Sequence, residues 1–328
     1  MKIMKIFNQF LIILGIISFN FSFNISLRAQ EYPNRPIKIV IPYPPGGPSD
    51  IVGRLLGQAL SESLGKSVFI ESKPGAAANI GMQYVARSNP DGYTLLLVSS
   101  NLVINPNLYS NLGYDVIKDF APIIMPVGSP NLIVVHPSFP AKNVQEFLAL
   151  IKASPGKNDF ASPGGGSGPH LSAELLKIKL NLSMQHIPFN GGGPALQAVL
   201  GNQVPIGFST LPPAIAQVKS GKLVGIAFTS SSRSTVLPDI PTLVESGVTE
   251  FEGETLQFIV APAGTPSAII QKLNLEFNKA LSNPELQAKL INAGFFVYNN
   301  SLEQVALKIR LELDKWGGVI KAGKIKPD

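Results

Sequence analysis

The stretch Ile37–Asp50, IKIVIPYPPGGPSD, decides the fold, because an apolar run passes without a break into a proline- and glycine-rich turn that opens a helix. Ile37, Ile39, Val40 and Ile41 are β-branched and suit a central strand, while Pro42, Pro44 and Pro45 end the pairing. Gly46 and Gly47 permit close backbone approach, and Pro48 fits a first helical turn, where a missing N–H costs nothing. Ile51, Val52, Leu55, Leu56, Leu60 and Leu64 then recur as an apolar helical stripe. The free N–H groups of such a turn point out of the sheet, where anions bind in α/β proteins.

The design recurs. Phe160-Ala161-Ser162 leads into Pro163-Gly164-Gly165-Gly166-Ser167-Gly168-Pro169 and the helical pattern of Leu171, Leu175, Leu176 and Ile178. Ile187-Pro188-Phe189-Asn190-Gly191-Gly192-Gly193 precedes a short helix from Pro194 to Gly201, and Leu211-Pro212-Pro213 starts another that closes at Gly221. Helix N-termini converging on one cleft would each bring roughly half a positive charge. Neither Lys157–Lys177 nor Lys179–Lys219 contains an interior Lys or Arg, so an anion held there meets neutral N–H and hydroxyl donors. Nucleotides and polyphosphates are disfavoured on that ground.

Strand-like runs at residues 37–41, 67–70, 94–99, 132–135, 204–208, 224–228 and 258–260 alternate with helical patterns, which is an α/β arrangement. Ile133–Pro137 with Pro140 and a helix to Ile151 echoes Phe258–Pro262 with Pro266 and a helix to Phe277, so two lobes built alike are expected. Proline, glycine and serine collect at 123–129 and 229–238, where the chain is expected to cross between lobes. The expected division is a signal peptide at 1–29, a first lobe from 30–125 plus 235–328, and a second from 126–234.

The N-terminus carries Lys2 and Lys5 ahead of an apolar stretch centred on Phe10–Ile17, then a polar region ending at Ala29. This is the pattern of a secretory signal peptide, too short in its apolar run for the ~20 residues of a membrane span, so an exported mature protein is expected. The segment holds three basic and no acidic residues, so the balance of 27 basic to 21 acidic falls to 24 to 21 in the mature chain. No basic run with interleaved aromatics supports nucleic-acid binding. There is no cysteine, hence no disulfide, thiol nucleophile or lipidated N-terminus, and His136, His170 and His186 lack metal spacing. No cofactor and no metal are expected.

Taken together, these residues resemble the periplasmic substrate-binding proteins of tripartite tricarboxylate transporters, the Bordetella uptake family. The likeness runs from about Tyr32 to the C-terminus. It is carried by YPNRPIKIVIPYPPGG with Asp50, KPGAAANIG (Lys73–Gly81), PDGYTLLL (Pro90–Leu97), INPNLY (Ile104–Tyr109) and Asp119-Phe120. The loop ending in His170-Leu171, IPFNGGGPAL (Ile187–Leu196), LPDIPT (Leu237–Thr242) and APAGTP (Ala261–Pro266) complete it. The resemblance implies a type II periplasmic binding protein fold, two α/β lobes joined by a hinge, closing on one small organic carboxylate that is handed to membrane permease subunits. It implies a monomer and no enzymatic activity.

Carried over position by position, the first-lobe loop is Pro45, Gly46, Gly47, Ser49 and Asp50, with Ser99 to Asn101 after the next cleft-facing strand. The second-lobe loop is Ser162, Gly164, Gly166, Ser167 and His170, joined by Phe189, Asn190, Gly191 and Gly192, with Tyr43 and Phe189 as apolar contacts. Three positions depart from the family pattern: Asn190 stands where many members carry Lys, Ser209 where an acidic residue is frequent, and Leu256 where many have Trp. Asp50 has an alternative role as a helix cap, and His170 as a structural residue of a first helical turn. The rival classes are a ligand sensor without cargo delivery and a serine hydrolase acting through Ser167 and His170. For the latter, Gly166-Ser167-Gly168 lacks the full nucleophile motif because Pro169 takes the last glycine position.

Overall fold

The computed structural model describes residues 32–327; the signal-peptide expectation lies outside them. Tyr32–Asn34 belong with the leading segment, and the chain from Arg35 onward forms the body described here. Its first lobe is built on β1 (Ile37–Ile41), which pairs in parallel with β2 (Val68–Ser72) on one side and β3 (Thr94–Ser99) on the other. Ile37, Ile39, Val40 and Ile41 are wholly buried, as a strand covered on both faces requires. Pro48 starts α1 (Pro48–Leu64), Gly65 ends it in the left-handed region, and Val52, Leu56 and Leu60 carry its buried face.

Two long strands continue the sheet. β3 pairs antiparallel with β9 (Glu254–Pro262), and β9 with β4 (Phe120–Val135). The region 123–129, rich in proline and glycine, is thus strand rather than linker. β4 absorbs Pro122 and Pro126 where its register against β9 shifts, the positions at which a strand tolerates a residue without a donor.

At Pro130/Asn131 β4 changes partners. Residues up to Pro130 pair with β9, and Asn131–Val135 pair with β7 (Ile206–Thr210), with β8 (Val224–Phe228) also on β4. The second sheet continues through β5 (Asp159–Ser162) to β6 (Gln185–Pro188), both parallel to their neighbours. Period-two alternation along β4 separates two cores: Ile133 and Val135 join Phe147, Phe160 and Phe208, whereas Leu132 and Val134 join Leu196 and Phe228. Leu237 and Ile240 pack in the second of these cores and Leu243, Val248 and Phe251 in the first. The chain therefore stays with the second sheet until Glu254 begins β9.

Buried Asn131 ties the crossing together. Its Nδ2 donates to the Gly253 carbonyl and to Ser172 Oγ, both at 2.8 Å, and its Oδ1 accepts from Thr255 Oγ1 at 2.8 Å. Thr229 N–H donates to the Asn131 carbonyl, and Gly253 N–H to that of Thr229.

Glu254, next to this knot, is buried and accepts the Tyr298 hydroxyl at 2.8 Å. Burial pushes its carboxyl above the ordinary range against the Tyr298 hydrogen bond, and Glu252 adds to the rise. With the folded value raised, the group's stability contribution is fully present below the unfolded pKa and is lost as pH rises through the folded one. Glu254→Gln removes that loss. The variant is expected to melt a few degrees above the parent at pH 8, with the difference vanishing near pH 4; a difference independent of pH would refute the assignment.

Candidate functional site

The first-lobe loop is folded back on itself by Asp50. Its Oδ2 accepts from Gly46 N–H at 3.1 Å and Arg54 Nε at 2.9 Å, while Oδ1 is buried with no partner among the described residues. The Arg54 guanidinium holds the carboxyl below the usual carboxylate range, aided by the Gly46 amide and opposed by burial. Ser49 turns its hydroxyl to Gln257 Oε1 at 2.9 Å, into the sheet. Gly47 is the residue before the first helical turn, and Pro45 is exposed.

Tyr43 starts a polar chain. Its hydroxyl lies 2.6 Å from Ser99 Oγ, accepts from the Ser99 amide and donates to Asn101 Oδ1 at 3.0 Å. Burial pushes the phenol up to about 12 against these bonds, so it stays protonated. Asn101 opens α3 (Asn101–Leu108) and donates to Asn105 Oδ1 at 3.2 Å.

Asn105 in turn reaches the turn Ala76–Ala78 that precedes α2 (Asn79–Ala86). Ala76, Ala77 and Ala78 have φ of 46°, 50° and 76°. Three successive L-residues in the left-handed region carry strain of about 1–2 kcal/mol each, which persists only where the surroundings impose it.

On the second lobe, β5 ends at Ser162 and the glycine loop follows, with Gly164 and Gly166 at φ of 133° and 72°. Ser167 caps α5 (Gly168–Leu180), accepting from the His170 amide, and donates its own hydroxyl to the Gly164 carbonyl at 2.8 Å. His170 Nδ1 accepts the Gly166 amide at 3.0 Å. This geometry opposes a Ser167–His170 nucleophile pair, since the hydroxyl points at a carbonyl and the ring nitrogen is engaged by an amide.

His170 stacks on His186 with centroids 3.8 Å apart, and Phe160 lies 5.1 Å from His186. Burial, joined by the neighbouring His170, pushes His186 down to about 3, so it is neutral and shares a hydrogen bond with Ser162 Oγ at 2.7 Å. Both imidazoles are therefore scaffolding for the loop. Phe189 N–H donates to the Ser162 carbonyl and Gly191 N–H to that of Pro163, which locks the β6 loop to the glycine loop. Gly191 is the residue ahead of α6 (Gly192–Leu200).

A cavity of about 710 Å³ opens between these parts. Its first-lobe wall comprises Ala76, Ala77, Asn79, Ile80 and Gln83 with Tyr109, Asn111 and Leu112, and its second-lobe wall Gly164, Gly165, Pro188, Phe189 and Asn190. No lining side chain is charged. Of the residues selected from sequence, Gly164, Phe189 and Asn190 form wall; Tyr43, Ser99 and Asn101 stand behind it through Asn105, and Ser162, Gly166, Ser167 and His170 shape the loop. Ser209 donates its hydroxyl to the Thr210 carbonyl on β7 and is not among the lining residues. The contributions of Ala76–Gln83 and Tyr109–Leu112 escaped the sequence reading, although KPGAAANIG covers Ala76 to Ile80 and INPNLY ends on Tyr109.

A second groove, about 770 Å³, runs past Lys38, Phe69, Tyr84 and Asp91 on the first lobe alone. Two of its cations are already paired, Arg35 with Asp91 at 2.7 Å and Lys38 with Glu71 at 2.9 Å. The interlobe cavity is the better site, because both lobes build it. Groups of His, Cys, Asp or Glu fit to hold a metal ion are absent among the described residues.

Two α/β lobes that share a sheet crossing and enclose an uncharged, amide-lined cavity define a solute-binding protein of the type II periplasmic class. Residues 52–325 match the tripartite tricarboxylate transporter family receptor, and the chain belongs to that family. BugT of Bordetella pertussis is 33% identical over 315 residues, spanning 95% of this chain and 97% of BugT. An R. palustris protein solved with adipate superposes with a TM-score of 0.84 at 29% identity, covering 91% of this chain and all of that one. MatC from Rhodopseudomonas palustris, solved with bound malate, gives 0.78 at 29% identity, covering 88% and 100%. Receptors of this family are periplasmic solute-binding proteins and not enzymes.

Proposed function

We propose that the interlobe cavity captures a small organic carboxylate and that this chain, a monomer exported by its N-terminal signal segment, presents it to the membrane permease subunits of a tripartite transporter. The observation that carries the reading is the wall itself: Ala76, Ala77, Asn79, Gln83 and Asn111 of the first lobe and Gly164, Gly165 and Asn190 of the second line it, with no charged side chain among the lining residues. Micromolar capture corresponds to about 8 kcal/mol. Hydrogen bonds from neutral donors to a carboxylate contribute roughly 1.5–3 kcal/mol each, so a few suffice once Phe189, Ile80 and Leu112 cover the carbon skeleton. The adipate and malate complexes of two relatives agree in chemistry.

The Tyr43–Ser99–Asn101 group, the Gly46–Asp50 loop and the Ser162–His170 loop belong to this site as supports that hold the donors in place. Closure turns on the crossings at Pro130/Asn131 and Gly253, where the Asn131 hydrogen bonds converge. The test is a thermal-shift screen of the chain from residue 30 onward against C4 to C6 di- and tricarboxylates, aromatic acids, amino acids, sugars and neutral amides. A carboxylate at a hundred times its Kd should add about 2.7 kcal/mol of stability. Stabilisation by sugars or amides alone, with no acid effective, would overturn the reading.

A further inference from the structure

Between the first-lobe loop and the cavity wall stands a residue that touches neither solvent nor cavity. Asn105 is fully buried in α3, with both N–H donors and the oxygen of its carboxamide hydrogen-bonded. Nδ2 donates to the Ala77 carbonyl and to Asn79 Oδ1, both at 2.8 Å, and Oδ1 accepts from Asn101 Nδ2 at 3.2 Å. Asn79 Oδ1 takes a further hydrogen bond from the Tyr114 hydroxyl at 2.7 Å.

The Ala77 carbonyl is the middle of the left-handed turn, and all three alanines of that turn have positive φ. Alanine has no intrinsic reason to stay there, so an unheld segment relaxes toward right-handed or extended backbone. Ala76, Ala77 and Asn79 are wall residues of the cavity. A relaxed turn therefore moves the wall.

We propose that Asn105 is a positioning residue for ligand capture: its carboxamide holds Ala76–Ala78 in the left-handed form and aims the Asn79 side chain, and so presets the first-lobe wall. The inference rests on the cavity being the capture site. Two donors and one acceptor in this planar arrangement are what a carboxamide supplies. Leucine fills the volume and supplies none of them.

The variants are Asn105→Leu, Ala77→Gly and the double change, each titrated calorimetrically with adipate and with malate and melted without ligand. Asn105→Leu is expected to weaken binding about tenfold. Ala77→Gly, free to adopt positive φ, should melt above the parent, and in the double variant should recover at least a third of the lost affinity on a logarithmic scale. A residue that merely fills space gives no such recovery. Unchanged affinity in Asn105→Leu, or a loss that Ala77→Gly leaves untouched, overturns the proposal. If the parent binds neither acid, nor any other in the screen, it is the capture reading that fails, and the clamp is then decided by the melts: effects of the two substitutions that depend on each other support it, and simple additivity refutes it.

Discussion

Gly166→Val is expected to weaken carboxylate capture by at least about a hundredfold, some 2.7 kcal/mol, while the protein still folds. Gly166 has φ of 72°, a region that a β-branched residue enters only under strain. A Cβ at this position would also lie 2.5 Å from Leu108 Cδ2 and 3.7 Å from Ile104 Cγ2. Those two side chains belong to α3 of the first lobe, so the second-lobe glycine loop seats directly on the helix that carries Asn101 and Asn105. A branched side chain pushes the loop off that helix, breaks the hydrogen bond that the Gly166 N–H donates to His170 Nδ1 and displaces Gly164–Gly165 from the wall. The comparison variant is Gly192→Val, where nothing but Pro213 and Pro163 comes within 4 Å of an added Cβ and φ is not positive. Calorimetric titration distinguishes the two: Gly166→Val loses binding outright, and Gly166→Ala with Leu108→Ala regains part of it because the contact is relieved while the φ strain remains. Affinity unchanged in Gly166→Val would remove this loop from the site.

What the sequence made legible follows from how local the causes are. β1, β3 and β8 were readable to the residue because apolar runs lie between turn residues, and in β1 and β3 a central strand's composition is set by burial on both faces. The glycine loops were readable because proline fixes its own φ and glycine admits the positive φ that such turns need. β4 was legible only over its last four residues, since Pro122, Pro126 and Pro130 signal a linker until β9 provides a partner against which the register shifts. The apolar stretch 237–251 gave no local sign of which lobe it packs on. That choice is made by the cores it joins: Leu237 and Ile240 pack with Phe228, and Leu243, Val248 and Phe251 with Phe160, which is distant in sequence.

The site divides the same way. Gly164, Phe189 and Asn190 could be named because they sit in conspicuous loops. The Ala76–Ala78 turn could not, because alanine's preference runs against the backbone it adopts there, and the carboxamide that opposes that preference lies 28 residues away. Non-local hydrogen bonds of this sort leave no periodicity behind them.

Glu312→Leu is expected to destabilise the fold by about 2–3 kcal/mol and to lower the melting temperature by roughly 5–10 °C, with carboxylate affinity little changed. Glu312 is nearly inaccessible on α10 (Leu302–Gly323), yet its carboxylate serves three donors: Lys308 Nζ at 2.9 Å, Lys315 Nζ at 2.6 Å and the Trp316 indole N–H at 2.7 Å. Removing it leaves two ammonium groups about a quarter exposed and a buried indole N–H without an acceptor, and partial exposure of the lysines keeps the penalty below that of a fully buried pair. Lys308 still reaches Glu252 at 3.2 Å, which is why the loss is not larger. Because Trp316 is the single tryptophan of the chain, its emission follows the change directly. Glu312→Gln, which retains an oxygen for the indole, should fall between the parent and the leucine variant in both melting temperature and emission. A leucine variant that melts within a degree of the parent would show that the two lysines and the indole find other partners at no net penalty, and that α10 is held to the first lobe by Trp316, Val305 and Ile309 packing alone.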